Sequence, residues 1–214
     1  MSFYTPSERE FSRLYIHEVA MAFSAMDCVL CGETAIYAST ELTTGVRLYD
    51  ALRKTGTKNA AQLREKMGRE WYTVNVWDAN ITSAMAFAGD VRRARDSRTL
   101  VITPGPFTAP DWTQPEYLAF WETLLRDPHR VGGVWFNRNW QFSNGCTFEF
   151  AVAQDAGLST IDHEGQRLDL ERAIDLISDA IRILNADGFD TSSLQDNLER
   201  LAAIRQQERS VVKG

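Results

Sequence analysis

Little in this 214-residue sequence favours a metal centre or a disulfide framework. It contains only three cysteines, and an odd number does not suggest a set of disulfide bonds. Cys28 and Cys31 form a CxxC motif, which is half of a typical zinc ligand set, and the three histidines are scattered. Because Val29 and Leu30 between the cysteines are apolar, the motif predicts buried thiols and no metal site.

Long runs of apolar residues or of residues with the same charge are also missing from the chain. No apolar run approaches the roughly 20 residues that span a bilayer, and no charged-then-apolar leader opens the sequence. We therefore expect a cytoplasmic protein without a membrane partner. The net charge is −6 and no long run of Lys or Arg occurs, which argues against a duplex nucleic-acid surface but permits a small phosphate pocket.

The order of helical and strand-like patterns predicts a single α/β domain. Hydrophobic residues make up 44% of the chain, enough for a sizeable core. Helices that alternate with short apolar strands favour a Rossmann- or flavodoxin-like parallel sheet with helices on both faces. We expect an N-terminal helix within 1–27, opened by a capping box at 7–10, a core at 35–160 with an insertion at 104–142, and C-terminal helices within 168–209.

Individual elements are predicted from hydrophobic periodicity and turn residues. The predicted strands are 28–30, 34–39, 71–77, 99–103, 134–136 and 158–161, with an interruption at Gly132 and Gly133. The predicted helices after the first are 46–54, 60–67, 81–95, 116–126, one beginning near 148, 168–185 and 192–209.

The most informative stretch is SNGCTFEF, from Ser143 to Phe150. It places a glycine, small polar residues and a carboxylate at the start of a helix that stops at Gly157. A helix N-terminus offers free N–H groups and a partial positive charge, which suit an anion. A carboxylate in the first turn, Glu149, is also held where a bound sugar would meet it. The alternative is an ordinary helix start, with Ser143 or Asn144 as the N-cap.

Two other pieces belong with this stretch. Tyr37 lies near the end of a predicted strand that leads into a polar, glycine-containing loop, and Asp90 lies on a helix that runs into an apolar strand. Ligands of parallel α/β sheets bind outside the carboxyl ends of the strands. The loop after Tyr37 and the stretch from Ser143 are therefore expected to meet at that edge.

In this order and spacing the chain resembles the nucleoside 2-deoxyribosyltransferase superfamily, which includes nucleoside 5′-monophosphate N-glycosidases. The resemblance covers roughly 35–159 and is carried by Tyr37, Asp90, Gly145 and Glu149. It implies that Glu149 attacks the anomeric carbon of the sugar and leaves a glycosyl ester on the protein. It also implies that Asp90 binds the departing base or assists its protonation, and that Tyr37 positions the nucleophile.

The residue six positions before Glu149 bears on the substrate. The resembling transferases typically have an aspartate there and the monophosphate hydrolases a serine, and this chain has Ser143. A hydroxyl beside helix N–H groups attracts a phosphate, whereas a carboxylate repels it. The residues expected to bind the substrate are Ser143, Asn144, Gly145 and Cys146 at the helix, and Ser39, Thr44, Gly45 and Arg47 around the loop after the first strand. Asn137 either hydrogen-bonds a base edge or is a solvated loop residue.

Two features depart from the family's pattern. The loop after the first strand is usually richer in Gly and Ser, and Glu41 within it is expected to point away from an anion. The stretch 104–142 is longer than the family's usual link, and its aromatic residues either form a lid or base pocket or pack in the core. Core packing is favoured for Trp121 and Trp135. These aromatics are Trp112, Trp121, Trp135, Phe136 and Trp140.

Together these patterns predict an N-glycosidase that releases the base from a (deoxy)nucleoside 5′-monophosphate through a glycosyl-Glu149 intermediate. One alternative is a transferase that exchanges bases between free nucleosides. Another is a nucleotide-binding module without turnover. The resemblance further implies a homo-oligomer, often a dimer, and the chemistry of the glutamate and the departing base requires no cofactor.

Overall fold

One parallel sheet organises the described part of the chain. The computed structural model describes residues 16–96, 98–109 and 112–211, so the capping box predicted at 7–10 lies outside it. Within these residues the strands are β1 (Ala35–Ser39), β2 (Val101–Ile102), β3 (Val131–Phe136) and β4 (Ser159–Ile161). Their order in the sheet is β2-β1-β3-β4, and every neighbouring pair is parallel. The predicted Rossmann- or flavodoxin-like α/β fold is confirmed.

Helices connect and cover these strands. They are α1 (Ile16–Leu30), α2 (Val46–Thr55), α3 (Ala60–Met67), α4 (Arg69–Tyr72), α5 (Asp78–Arg95), α6 (Gln114–Leu125), α7 (Asn144–Asp155), α8 (Leu170–Ala186) and α9 (Ser192–Val211). A π-helical turn, Thr73–Trp77, joins α4 to α5, and a 3₁₀ turn, Trp140–Phe142, precedes α7. Among the described helices, none has both the length and the apolar character needed to cross a membrane.

The two faces of the sheet are buried under different helices. Successive strand residues point to opposite faces, so Tyr37 and Phe136 pack on the side of α6 and α7, while Ala38 and Trp135 pack on the side of α5. Trp121 and Trp135 are both buried, which confirms core packing for these two residues. Of the other aromatic residues after 104, Phe136 and Trp140 are buried and Trp112 is half-buried.

The strand predicted at 71–77 is wrong, because this segment is helical throughout. In a strand, Tyr72, Val74 and Val76 would share one face. The structure buries Tyr72 and Val76 but leaves Val74 57% exposed. Burial four residues apart is the spacing of a helix, and the alternation of apolar residues in the sequence was a coincidence of composition.

The strand predicted at 28–30 and the buried thiols of the CxxC motif are also wrong. The motif lies at the end of α1, with Cys28 and Cys31 both exposed and Cys31 in a left-handed conformation (φ 52°) just after the helix. The Cys31 thiol donates to the Cys28 carbonyl at 3.0 Å. Among the described residues, no group of three or more His, Cys, Asp or Glu side chains could hold a metal ion.

Gly132 and Gly133 lie within β3 and do not interrupt it. Close contacts with the residue that precedes β1 and with β4 explain why glycine fits there. A Cβ atom on Gly132 would lie 2.8 Å from Thr34 Oγ1, and one on Gly133 would lie 2.6 Å from Ser159 Oγ. The sequence signal of a break therefore marks a place where strands approach closely.

Candidate active site

Glu149 lies in a buried position on α7, facing the carboxyl end of β1. The helix begins at Asn144, four residues earlier than predicted, so Glu149 belongs to its second turn and not to its first. Ser143 is the N-cap, and its Oγ accepts the Cys146 N–H at 3.4 Å. Glu149 is only 5% exposed, and a carboxylate so far from water needs polar partners.

Two hydroxyl groups from β1 supply those partners. Tyr37 Oη donates to Glu149 Oε1 at 2.7 Å, and Ser39 Oγ donates to Oε2 at 2.6 Å. Tyr37 and Ser39 are two residues apart on a strand, so their side chains point to the same face. The Tyr37 ring packs against Trp121, with 5.6 Å between ring centroids. We call Glu149, Tyr37 and Ser39 the carboxylate clamp.

Burial dominates the electrostatics of the clamp. It raises the pKa of Glu149 from 4.5 to about 7, although the hydroxyl groups of Ser39 and Tyr37 act to lower this pKa. Burial and the nearby Glu149 raise the pKa of Tyr37 well above its ordinary value, so its phenol remains a proton donor at neutral pH. Burial likewise raises the pKa of the Cys146 thiol, which is therefore no thiolate nucleophile.

This raised pKa predicts a pH-dependent gain in stability from Glu149→Gln. Below pH 4.5 the carboxyl is protonated in both the folded and the unfolded chain and costs nothing. Between 4.5 and about 7 the folded chain holds the proton more tightly, so the free energy of unfolding falls as pH rises. Above pH 7 the cost is complete, at about 3 kcal/mol.

Urea denaturation at pH 5 and pH 8 measures this effect. We expect the Glu149→Gln variant to be more stable than the wild type at pH 8, with most of that advantage gone at pH 5. An equal difference between the two proteins at both pH values would show that the folded protein does not raise the pKa of Glu149.

The loop after β1 meets the start of α7. The Asn144 N–H donates to Thr44 Oγ1 at 2.9 Å, which joins residues 100 positions apart in the chain. Ser143 is buried, and Asn144 and Gly145 are half-buried at the same helix start. The structure thus brings together Thr44 with Ser143, Asn144 and Gly145, the groups expected to contact a phosphate.

The expectation that Glu41 points away from the anion site is wrong. Its Oε2 accepts the Val46 N–H at 3.0 Å, at the start of α2. The carboxylate folds over Gly45, where a Cβ atom would lie 2.0 Å from Oε2 and where φ is +134°. Burial raises the pKa of Glu41. The Gly45 end of the expected phosphate site is therefore occupied by the protein's own carboxyl group.

The α5 side of the same edge carries amide groups. Asn80, 1% exposed, donates from Nδ2 to the Leu42 carbonyl at 2.7 Å and accepts from Arg47 Nε at 2.9 Å. The Asn137 N–H donates to the Ser39 carbonyl at 3.0 Å, which places Asn137 directly beside the clamp. Nothing in the sequence singled out Asn80, because one polar residue on a helix gives no periodic signal.

Asp90 is not part of this site. Its helix, α5, begins at the carboxyl edge, where Asn80 contacts Leu42, and runs away from it. Asp90 lies ten residues further on, about 15 Å along the helix axis at the usual rise. Its side chain is 65% exposed and forms an ion pair with Arg93. The structure does not bring Asp90 beside the carboxylate clamp, because a connecting helix runs antiparallel to the strands, and its contact with a base stays a prediction.

Comparison with known proteins identifies no relative: no family model, curated protein or solved structure matches the chain. The chemistry must therefore be inferred from the groups themselves. A buried carboxylate with both oxygens oriented by hydroxyl donors suits attack on an electrophilic carbon better than metal binding. The nearby helix start and amide groups suit a polar ligand.

Proposed function

We propose that this protein hydrolyses the N-glycosidic bond of a (deoxy)nucleoside 5′-monophosphate, with Glu149 as the nucleophile. The observation that carries this proposal is the carboxylate clamp: both oxygens of a buried carboxylate accept hydrogen bonds from β1, at 2.7 and 2.6 Å. Such bonds fix the direction of a nucleophile before the substrate arrives. The clamp also lies at the carboxyl end of a parallel sheet, where ligands of this fold class bind.

In the first step, one Glu149 oxygen forms a bond to the anomeric carbon as the bond from that carbon to the base nitrogen breaks. The electron pair leaves with the base, which takes up a proton from solvent. Tyr37 and Ser39 keep their protons and hold the carboxylate. Glu149 attacks only in its ionised form, so kcat/KM is expected to rise with pH through about 7.

In the second step, a water molecule attacks the same carbon. The ester bond to Glu149 breaks, the carboxylate returns to the clamp, and the proton of the water is released. The products are the free base and (deoxy)ribose 5-phosphate, with retention at the anomeric carbon.

The helix start supports a phosphate on the substrate. The first turn of α7 carries the Ser143 hydroxyl and the Gly145 N–H, and the Thr44 hydroxyl lies against it by accepting the Asn144 N–H. A helix N-terminus attracts an anion through these N–H groups and the helix dipole. The exposed Arg47 lies at the same edge through its bond to Asn80 and adds positive charge.

A second candidate, base exchange between neutral nucleosides, is favoured by one observation. Glu41 occupies the start of α2, and its negative charge acts on Cys146 in the first turn of α7. That charge opposes a phosphate dianion and leaves a neutral nucleoside unaffected. In exchange, a second base in place of water would attack the glycosyl ester.

The decisive experiment incubates the protein with a panel of nucleosides and their 5′-monophosphates, modified pyrimidines included, and measures released base by chromatography. Base release confined to the monophosphates supports the proposal. Base exchange between free nucleosides supports the second candidate. Binding that survives in Glu149→Ala, with no product from any substrate, would identify a nucleotide-binding module and overturn both.

Replacement of Glu41 by glutamine tests where the phosphate lies. Glutamine keeps an oxygen for the Val46 N–H but removes the negative charge near α7. We expect the KM for the monophosphate to fall roughly fivefold, the scale of about 1 kcal/mol of charge repulsion, while the KM for the matching nucleoside stays the same. Equal changes for both substrates would place the phosphate away from Glu41. The exposed Glu65→Gln is the matched control.

A further inference from the structure

The first turn of α7 is bound by a residue far away in the chain. Asn197 lies on α9 and is 8% exposed. Its Nδ2 donates to Thr147 Oγ1 at 2.9 Å and to the Asn144 carbonyl at 3.3 Å. An amide nitrogen carries two hydrogens, so one side chain serves both acceptors.

Thr147 passes this contact on to the helix backbone. Its hydroxyl lies 3.1 Å from the carbonyl oxygens of both Ser143 and Asn144 and shares its one hydrogen between them, and its N–H donates to the Ser143 carbonyl at 3.0 Å. Thr147 is fully buried. The turn that leads into Glu149 is therefore fixed by a side-chain network, in which an unpaired group would cost free energy.

The same turn is also held by the loop that follows β1. Thr44 Oγ1 accepts the Asn144 N–H, while Asn197 bonds the carbonyl of the same residue. Two residues after Thr147, the Glu149 carboxylate must reach two hydroxyl groups at 2.7 and 2.6 Å. A small shift or rotation of the turn would break both bonds, since hydrogen bonds weaken steeply with distance and angle.

We propose that Asn197 is a positioning residue for Glu149: through Thr147 and Asn144 it holds α7 at the height and rotation that the carboxylate clamp requires. Its role in turnover rests on the function proposed above, but its effect on the Glu149 carboxylate does not. The C-terminal helix α9 thus becomes part of the site without contacting the substrate.

Two variants and a matched control test this proposal. Asn197→Ala removes the amide, and Asn197→Leu keeps its approximate size but removes the donor without adding a charge. Gln195→Ala is the control, because Gln195 also donates an amide hydrogen to a threonine hydroxyl, that of Thr191 at 3.0 Å, on the same helix but exposed and away from α7. The measurements are the pH titration of the Glu149 side chain by NMR with ¹³C-labelled glutamate, the melting temperature, and kcat and KM.

Loss of the donor should shift α7 and break the hydrogen bonds from Tyr37 and Ser39 to Glu149. Because these bonds lower the pKa of Glu149, we expect both Asn197 variants to raise it above about 7, and to lower kcat about tenfold with little change in KM. Gln195→Ala should change neither. If the Asn197 variants only lower the melting temperature and leave the Glu149 titration as in the control, the proposal is overturned. Because the titration needs no turnover, it decides on Asn197 even if the proposed function fails.

Discussion

Glutamine in place of Glu149 is expected to lower kcat for base release by about 10⁴-fold or more. Removal of an enzyme's nucleophile has effects on this scale, because the remaining groups bind the substrate but cannot form the intermediate. The amide has nearly the same shape as the carboxylate and still accepts a hydrogen bond from Tyr37, so the fold should persist. Chromatographic measurement of released base at pH 8, where wild-type Glu149 is ionised, gives the largest contrast.

Mass spectrometry can separate a nucleophile from a residue that only binds. When the reaction is stopped by denaturation during turnover, the wild type should carry one sugar phosphate on the peptide that contains Glu149. The Glu149→Gln variant should carry none. The exposed Glu65→Gln should behave as the wild type. Base release at a wild-type rate by Glu149→Gln, or an adduct on another residue, would contradict the proposed role of Glu149.

Local signals were sufficient to predict much of the fold. The limits of α3 agree with prediction because both ends carry a cap: the Asn59 side chain accepts the Gln62 N–H, and Gly68 ends the helix. The strand at 71–77 failed because residues such as Val74 favour strands on their own, whereas tertiary packing selected the helical face of Tyr72 and Val76.

The site was predictable only where order along the chain implies proximity. Strand topology brings the end of β1 to the start of α7, which is why Tyr37 and Glu149 meet. Ser39 was expected to bind the substrate, and the structure shows it bonded to the Glu149 carboxylate. Asn197 carried no signal, because its contact with Thr147 depends on how α9 packs along α7, and a single sequence does not encode that packing in any readable pattern.

The position of Glu41 also could not be predicted from the sequence, and it bears on the choice of substrate. A loop with a single acidic residue gives no indication of whether the carboxylate faces solvent or its own helix. In the structure the Val46 N–H and the absence of a side chain on Gly45 hold it inward. The loop backbone therefore holds the Glu41 charge next to the proposed phosphate position, and under the proposed function a monophosphate has to bind in spite of it, through α7 and Arg47.

Removal of both hydroxyl groups of the carboxylate clamp should nearly abolish turnover while Glu149 remains. The double variant Tyr37→Phe, Ser39→Ala is expected to lower kcat/KM about 10³-fold at pH 7. Hydrogen bonds to a charged group are worth about 1.5–3 kcal/mol each, and two are lost. Phenylalanine keeps the ring that packs against Trp121, so the loss would arise from orientation and charge and not from a cavity.

The direction in which the pH profile of kcat/KM shifts distinguishes this effect from simple misfolding. Both hydroxyl groups lower the pKa of Glu149, so their removal should move the acid limb of kcat/KM from about 7 to higher pH. Activity lost at pH 7 would then be partly recovered at pH 9. Tyr117→Phe is the matched control, since its hydroxyl bonds only to the Ala109 backbone among the described residues. An acid limb that stays at pH 7 in the double variant would mean that the hydroxyl groups do not control the ionisation of Glu149, and the clamp would then lose its role in preparing the nucleophile.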